Sequence, residues 1–152
     1  MKALNKVMIG AAALFLLTGC GPQKVTYEKF HEKAVAAHDK GHSYTKAVVN
    51  GTSESDGTTT KYSKVEFVLA SGTWQPKEAS LTNLVLSVFV GMEAQSVSEE
   101  EESTYYAGNG FKVTSKSDDG NGSASFNAAG LLTSIKSTSG DSKFNLTVKY
   151  SK

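Results

Sequence analysis

Three histidines, one serine–lysine pair and one oxygen-rich turn are the residues of this chain whose types and spacing could do chemistry. His31, His38 and His42 are separated by seven and four residues. On one continuous helix their imidazoles would converge, as the ligands of a zinc ion do. Gly41 ends such a helix before His42, and no cysteine and few carboxylates lie close by. The simpler reading places His31 and His38 beside a packing face, each with a ring nitrogen wet or hydrogen-bonded. Ser43-Tyr44-Thr45-Lys46 has the Ser-x-x-Lys spacing in which a lysine amine can activate a serine nucleophile. The companion Ser-Asp-Asn and Lys-Thr-Gly motifs are absent, and a strand here would put Ser43 and Lys46 on opposite faces. Asp118-Asp119-Gly120-Asn121-Gly122 has the oxygen content of a calcium loop, without the regular ligand alternation and distal Glu of an EF-hand. A β-turn accounts for it. Gly108-x-Gly110 and Gly120-x-Gly122 open no helix and make no phosphate cradle. The chain is therefore expected to be no enzyme, with no catalytic residue, no metal and no cofactor.

The remaining reactive group is the only cysteine, Cys20. Ahead of it run a short basic start (Met1, Lys2, Lys6) and an apolar stretch, Val7 to Leu17, too short to span a bilayer as a permanent helix. Leu17-Thr18-Gly19-Cys20 then resembles the lipobox of bacterial lipoprotein signals, Leu-(Thr/Ser/Ala)-(Gly/Ala)-Cys. The resemblance implies removal of residues 1–19, acylation of the Cys20 sulfur, and a body held to a bacterial membrane outside the cytoplasm, either the cell membrane or an outer membrane. Two or three acyl chains make a firm tether where one does not. An ordinary signal peptide ending near a cysteine is the alternative. Gly21, rather than Asp, follows the cysteine, which removes one cue for inner-membrane retention in a host with two membranes.

Without the leader, 133 residues remain, enough for one domain, and Cys20 is the one cysteine among them. No disulfide can staple this body, so a packed core must hold it. Every basic residue is a lysine; there is no arginine. The planar, bidentate fork that suits phosphate and nucleic-acid recognition is missing, and nucleic acid is not expected as a partner.

Residues 20–25 read as the lipidated cysteine and a brief linker, and residues 26–152 as a single α+β domain. Thr26 to Lys40 predicts a helix, capped by Thr26 and stopped at Gly41, with Tyr27, Phe30, Ala34, Val35 and Ala37 on one face. Ser43–Ser53 and Thr59–Ala70 predict strands around the turn Glu54–Thr58, and Gly72–Pro76 breaks the pattern. Leu81 to Met92 predicts an apolar helix: Leu81, Leu84, Val85, Val88, Phe89 and Met92 recur at helical spacing, with Leu86 and Val90 as a second strip. Its β-branched residues leave a strand open as the alternative. Glu99–Glu102 predicts a solvated loop. Five strands follow, near Thr104–Ala107, Phe111–Ser117, Ser123–Asn127, Leu131–Thr138 and Lys143–Tyr150, alternating apolar and polar between glycine-rich turns. The sum is a curved antiparallel sheet of about seven strands covered by two helices.

A sheet covered in this way can enclose an apolar cavity. The residues expected to line it are Phe67, Leu69, Trp74, Leu84, Val88, Phe89, Met92, Phe111 and Phe126. The order of elements resembles the half-barrel lipoproteins of the LolA/LolB type and the LppX-like envelope lipoproteins, and Phe126-Asn127-Ala128-Ala129-Gly130-Leu131-Leu132-Thr133-Ser134-Ile135 is similar to a strand–turn–strand of those families. That resemblance implies binding of a lipid or acyl chain between sheet and helices. The competing expectation is an interaction lipoprotein with a filled core that meets a protein or a wall polymer. Packing separates the two.

Overall fold

The structure, a computed structural model, describes residues 21–152. Cys20 and the segment 1–19 lie outside the described residues. Nine strands and two helices follow one another as β1 (Gln23–Val25), α1 (Tyr27–Lys40), β2 (Lys46–Ser55), β3 (Thr58–Ala70), β4 (Thr73–Pro76), α2 (Leu81–Leu86), β5 (Ser103–Gly108), β6 (Gly110–Ser117), β7 (Gly120–Phe126), β8 (Leu132–Ser139) and β9 (Ser142–Ser151), with one 3₁₀ turn at Ala94–Ser96. All nine strands form a single antiparallel sheet in the order β1-β5-β6-β7-β8-β9-β2-β3-β4. The α+β class and the antiparallel sheet agree with the sequence reading; the strand count does not. Gln23–Val25, read as linker, is an edge strand, and Thr73–Pro76, read as a break, is the opposite edge.

The two extra strands have different causes. Ser71 and Gly72 turn the chain with φ of 53° and 79°, returning β4 along β3 so that Trp74 lies opposite Leu69. The same geometry makes the β2–β3 turn, where Asp56 and Gly57 both take positive φ, as a type I′ hairpin requires. β1 adds three residues to the β5 edge, with Gln23, Lys24 and Val25 opposite Ala107, Tyr106 and Tyr105.

Helix α1 forms where its pattern places it. Thr26 accepts a hydrogen bond from the Lys29 amide, and the Gly41 amide donates to the His38 carbonyl. Phe30 and Ala34 are buried, while Glu28, Glu32 and Lys33 face solvent. Between β1 and β2, which are far apart in the sheet, α1 crosses the inner face and lays Phe30 against Tyr105 and Phe111, with ring centroids 5.3 and 5.6 Å away.

Strand alternation supplies the rest of the core. The register aligns Ala107, Phe111, Phe126 and Leu132 in one row. Further along the sheet, Ile135, Leu146, Val148, Val49, Ala47 and Phe67 continue the same face. Two buried clusters result, one under α1 around Phe30, Phe111, Phe126 and Leu132, the other around Val49, Phe67, Leu86, Val90 and Leu146. Phe89 packs against both.

The apolar insert departs most from expectation. Helix α2 stops at Leu86, after six residues; the chain then descends through turns in which Val88, Phe89 and Met92 donate to carbonyls three residues back. Gly91, at φ 80°, lets the backbone turn beneath Trp74, and a Cβ there would collide with the indole. Leu86 and Val90 are buried, whereas Leu81, Leu84, Val85 and Val88 are 84, 51, 63 and 65% exposed. The strip expected to be secondary packs on the sheet, and most of the expected main stripe faces water.

Candidate functional site

Helix and strand positions scatter the nine expected cavity residues. Phe111 and Phe126 are buried side by side beneath α1, and Phe67 is buried in the second cluster. Phe89 bridges the clusters with its ring 5.1 Å from Phe144, and Met92 packs against the first. Leu69 and Trp74 are half-buried and opposite each other across β3 and β4. Leu84 and Val88 point outward from α2 and the turn after it. Phe30, Phe89 and Leu86 occupy the space between cover and sheet. The clefts beside Lys24–Tyr27 and Glu99–Tyr105, beside Ser63–Glu66 and Lys77, and across Thr114, Ser123 and Lys136 contain none of the nine.

The three histidines go to three separate places. His31 lies against Tyr27, with ring centroids 5.7 Å apart. His38, in the last turn of α1, donates from Nδ1 to the Glu93 carboxylate at 2.9 Å. His42 accepts the Tyr44 amide at Nδ1 and stacks on Trp74, centroids 6.3 Å apart and 18° from parallel. Among the described residues no group of three His, Cys, Asp or Glu is placed to hold a metal. Ser43 precedes β2 instead of lying in it, and Asp118-Asp119 form the β6–β7 turn.

Two polar contacts that the sequence pattern does not announce fasten the cover to the sheet. Tyr150, on β9, donates its hydroxyl hydrogen to the Leu132 carbonyl at 2.8 Å and accepts the Gly91 amide at 3.1 Å. Burial pushes this phenol up to about 12. The second contact is His38–Glu93. The hydrogen bond to Glu93, then its charge, raise the His38 pKa. Partial burial works to raise the Glu93 carboxyl, but hydrogen bonds from His38 and Gln95 outweigh it and hold the carboxyl below its usual range. Gly91, within a wholly uncharged run from Ala79 to Met92, was the only mark of the first contact in the sequence.

The described residues do offer a surface. Among the described residues the exposed large apolar side chains are Leu81, Leu84, Val85 and Val88, all on one short segment. No family model matches this chain, and no curated protein is similar to it.

Proposed function

We propose that the chain is a non-enzymatic binding module of a bacterial envelope, tethered through lipidated Cys20, that docks a protein partner on the apolar surface of α2. The observation that carries this reading is the concentration of exposed Leu81, Leu84, Val85 and Val88 on one short segment, beside the buried cluster that holds Leu86 and Val90. Contiguous apolar surface of this kind marks a contact site, since leaving it in water is unfavourable.

A photo-crosslinker at position 88, read in intact membranes against one at position 33 on α1, tests it. A discrete protein adduct at 88 and none at 33, lost in Leu84→Asp, is expected; equal labelling at both positions overturns the docking surface. The tether is read separately, as acyl mass on the Cys20 peptide that Cys20→Ser abolishes.

A second reading, an acyl ligand admitted between cover and sheet, draws on a different observation. The inner face around Phe67 and Leu146 is covered by α2 and its following turn instead of a long helix. Lifting Leu86, Phe89 and Val90 would open it. Native mass spectrometry of the fragment Gly21–Lys152, purified without detergent, tests this: a lipid mass abolished by Phe89→Asp supports it, and a clean protein mass after incubation with lipid extract rejects it.

A further inference from the structure

The outer face of the sheet, which no helix among the described residues covers, is rich in lysine. Residues that alternate with the core positions face outward. They include Lys24, Lys46, Lys61, Lys112, Lys116, Lys136, Lys143 and Lys149, all exposed, among serines, threonines and asparagines. Among the described residues the strands carry two acidic residues, Glu54 and Glu66, and Glu66 is held by Lys77 at 3.2 Å. Among the described residues none of the eight lysines joins an ion pair. Lys112 instead lies over the Tyr106 ring, 6.0 Å from its centroid.

Eight of the fifteen acidic residues lie at one end of the sheet, and Glu66, in the other half, is the acid paired with Lys77. The turns holding Asp56, Asp118–Asp119 and Asp141 close the same end of the sheet, and the Glu99–Glu102 run joins it where the Lys116 amide meets the Glu102 carbonyl. The opposite end receives the chain at Gln23, beside the Gly108–Gly110 hairpin and the close of β9 at Ser151. On the outer face, Lys24, Lys46, Lys112 and Lys149 belong to this N-terminal half.

We infer that the N-terminal half of the outer sheet face, carrying Lys24, Lys46, Lys112 and Lys149, seats the body on anionic phospholipid headgroups, with the acidic end directed away from the bilayer. This rests on the proposed Cys20 tether, and the tether selects the occupant. Lys24 is four residues from Cys20, so extended chain separates them by at most about 14 Å, close to the screening length of about 8–10 Å at physiological salt. A body held that close presents its basic end to the headgroups before any more distant polyanion can compete. Lysines without arginine suit such a surface, where many point charges meet a diffuse negative potential and no planar oxyanion has to be read.

The test uses the fragment Gly21–Lys152, which contains all nine strands and both core clusters. Its net charge is −1, so attraction to an anionic vesicle must come from the uneven distribution of charge. We expect sedimentation with phosphatidylglycerol-containing vesicles, none with phosphatidylcholine alone, and release as salt is raised. The Lys24→Gln, Lys46→Gln, Lys112→Gln, Lys149→Gln variant should lose about a hundredfold or more in partitioning, from about fivefold per lysine. The matched variant Lys61→Gln, Lys116→Gln, Lys136→Gln, Lys143→Gln removes the same charge from the same face and should stay within about threefold of the parent. Equal losses in the two variants, no discrimination between lipids, or binding to soluble polyphosphate but not to vesicles would each overturn the inference. Because the fragment lacks Cys20, these outcomes are independent of the anchor, which the acyl mass of the Cys20 peptide decides.

Discussion

The Gly91 amide and the Tyr150 hydroxyl meet at 3.1 Å, 59 residues apart in the chain, and the same hydroxyl donates to Leu132 at 2.8 Å. One phenol thus ties the turn after α2 to β9 and to the start of β8. Trp74 closes the arrangement from the other side, its ring edge-on to Tyr150 at 5.6 Å and its indole over Gly91.

Tyr150→Phe should therefore cost about 2 kcal/mol, because it leaves the Gly91 amide without its partner in a half-buried site; urea denaturation measures it. The phenol titrates at about 12 in the folded chain against 10 in the unfolded one. A raised acid stabilises the fold fully below pH 10 and loses that contribution as pH climbs towards 12. The alkaline decline of stability across that window should be shallower in Tyr150→Phe. Ultraviolet titration of the tyrosinate should show one tyrosine ionising late, and Tyr150→Phe should remove it.

The His38–Glu93 pair sets a second pH dependence, at the other end of the scale. His38 is raised, so its contribution is complete below about pH 6.5 and fades as pH rises through its folded value. Glu93 is lowered, so its contribution is complete above about pH 4.5 and fades as pH falls through its folded value. The pair is thus strongest between those limits. In a nuclear magnetic resonance titration, Glu93→Gln should return His38 toward its ordinary value. An unchanged His38 midpoint would show that the contact is not maintained in solution.

Two leucines on the same short helix should respond oppositely to truncation. Leu86→Ala should destabilise by about 3 kcal/mol, because Leu86 is 1% exposed and seated among Val49, Phe67 and Leu146. Leu84→Ala should change stability by less than about 0.5 kcal/mol, since its side chain is half in water. Denaturant midpoints separate the two, and equal losses would mean that α2 is rotated from the position described.

Gly91→Ala should cost more than about 2 kcal/mol in the same assay, because a positive φ disfavours any Cβ and this one would strike Trp74. The double variant Gly91→Ala, Trp74→Ala should lose less than the sum of the single losses, since the collision is then gone.

The sequence was most informative where local chemistry and tertiary packing agree. Helix α1 has a Thr26 cap, a Gly41 stop and one apolar face, and each signal points to the same fifteen or so residues. The strands from Ser103 to Ser151 alternate cleanly because one face meets the core and the other meets water. The apolar insert was illegible for a physical reason. A helical period assigns faces only while the helix lasts, and this one ends at Leu86, so Val88, Phe89 and Val90 follow turn geometry instead of 100° steps. Of the expected cavity lining, Val88 lies beyond the end of the helix and Leu84 on the outward side of α2, and both are exposed. Strands β1 and β4 escaped notice because three or four residues are too few to display alternation; their existence depends on a neighbour to pair with, which lies far away in the chain for β1. The Tyr150 and Glu93 contacts were hidden likewise, each joining residues more than fifty positions apart.

The brevity of the two edges has a consequence for how this protein behaves in a crowd. An open sheet offers its outermost backbone as a template to other chains, and here those rims are three residues at Gln23–Val25 and four at Thr73–Pro76, the latter ending in a proline that has no amide to donate. Behind β1 stands β5, a six-residue strand bearing Tyr105 and Tyr106. Proteolytic trimming past Val25 would strip away the short guard and expose that longer strand, turning a self-terminating sheet into one able to recruit its own copies into fibres.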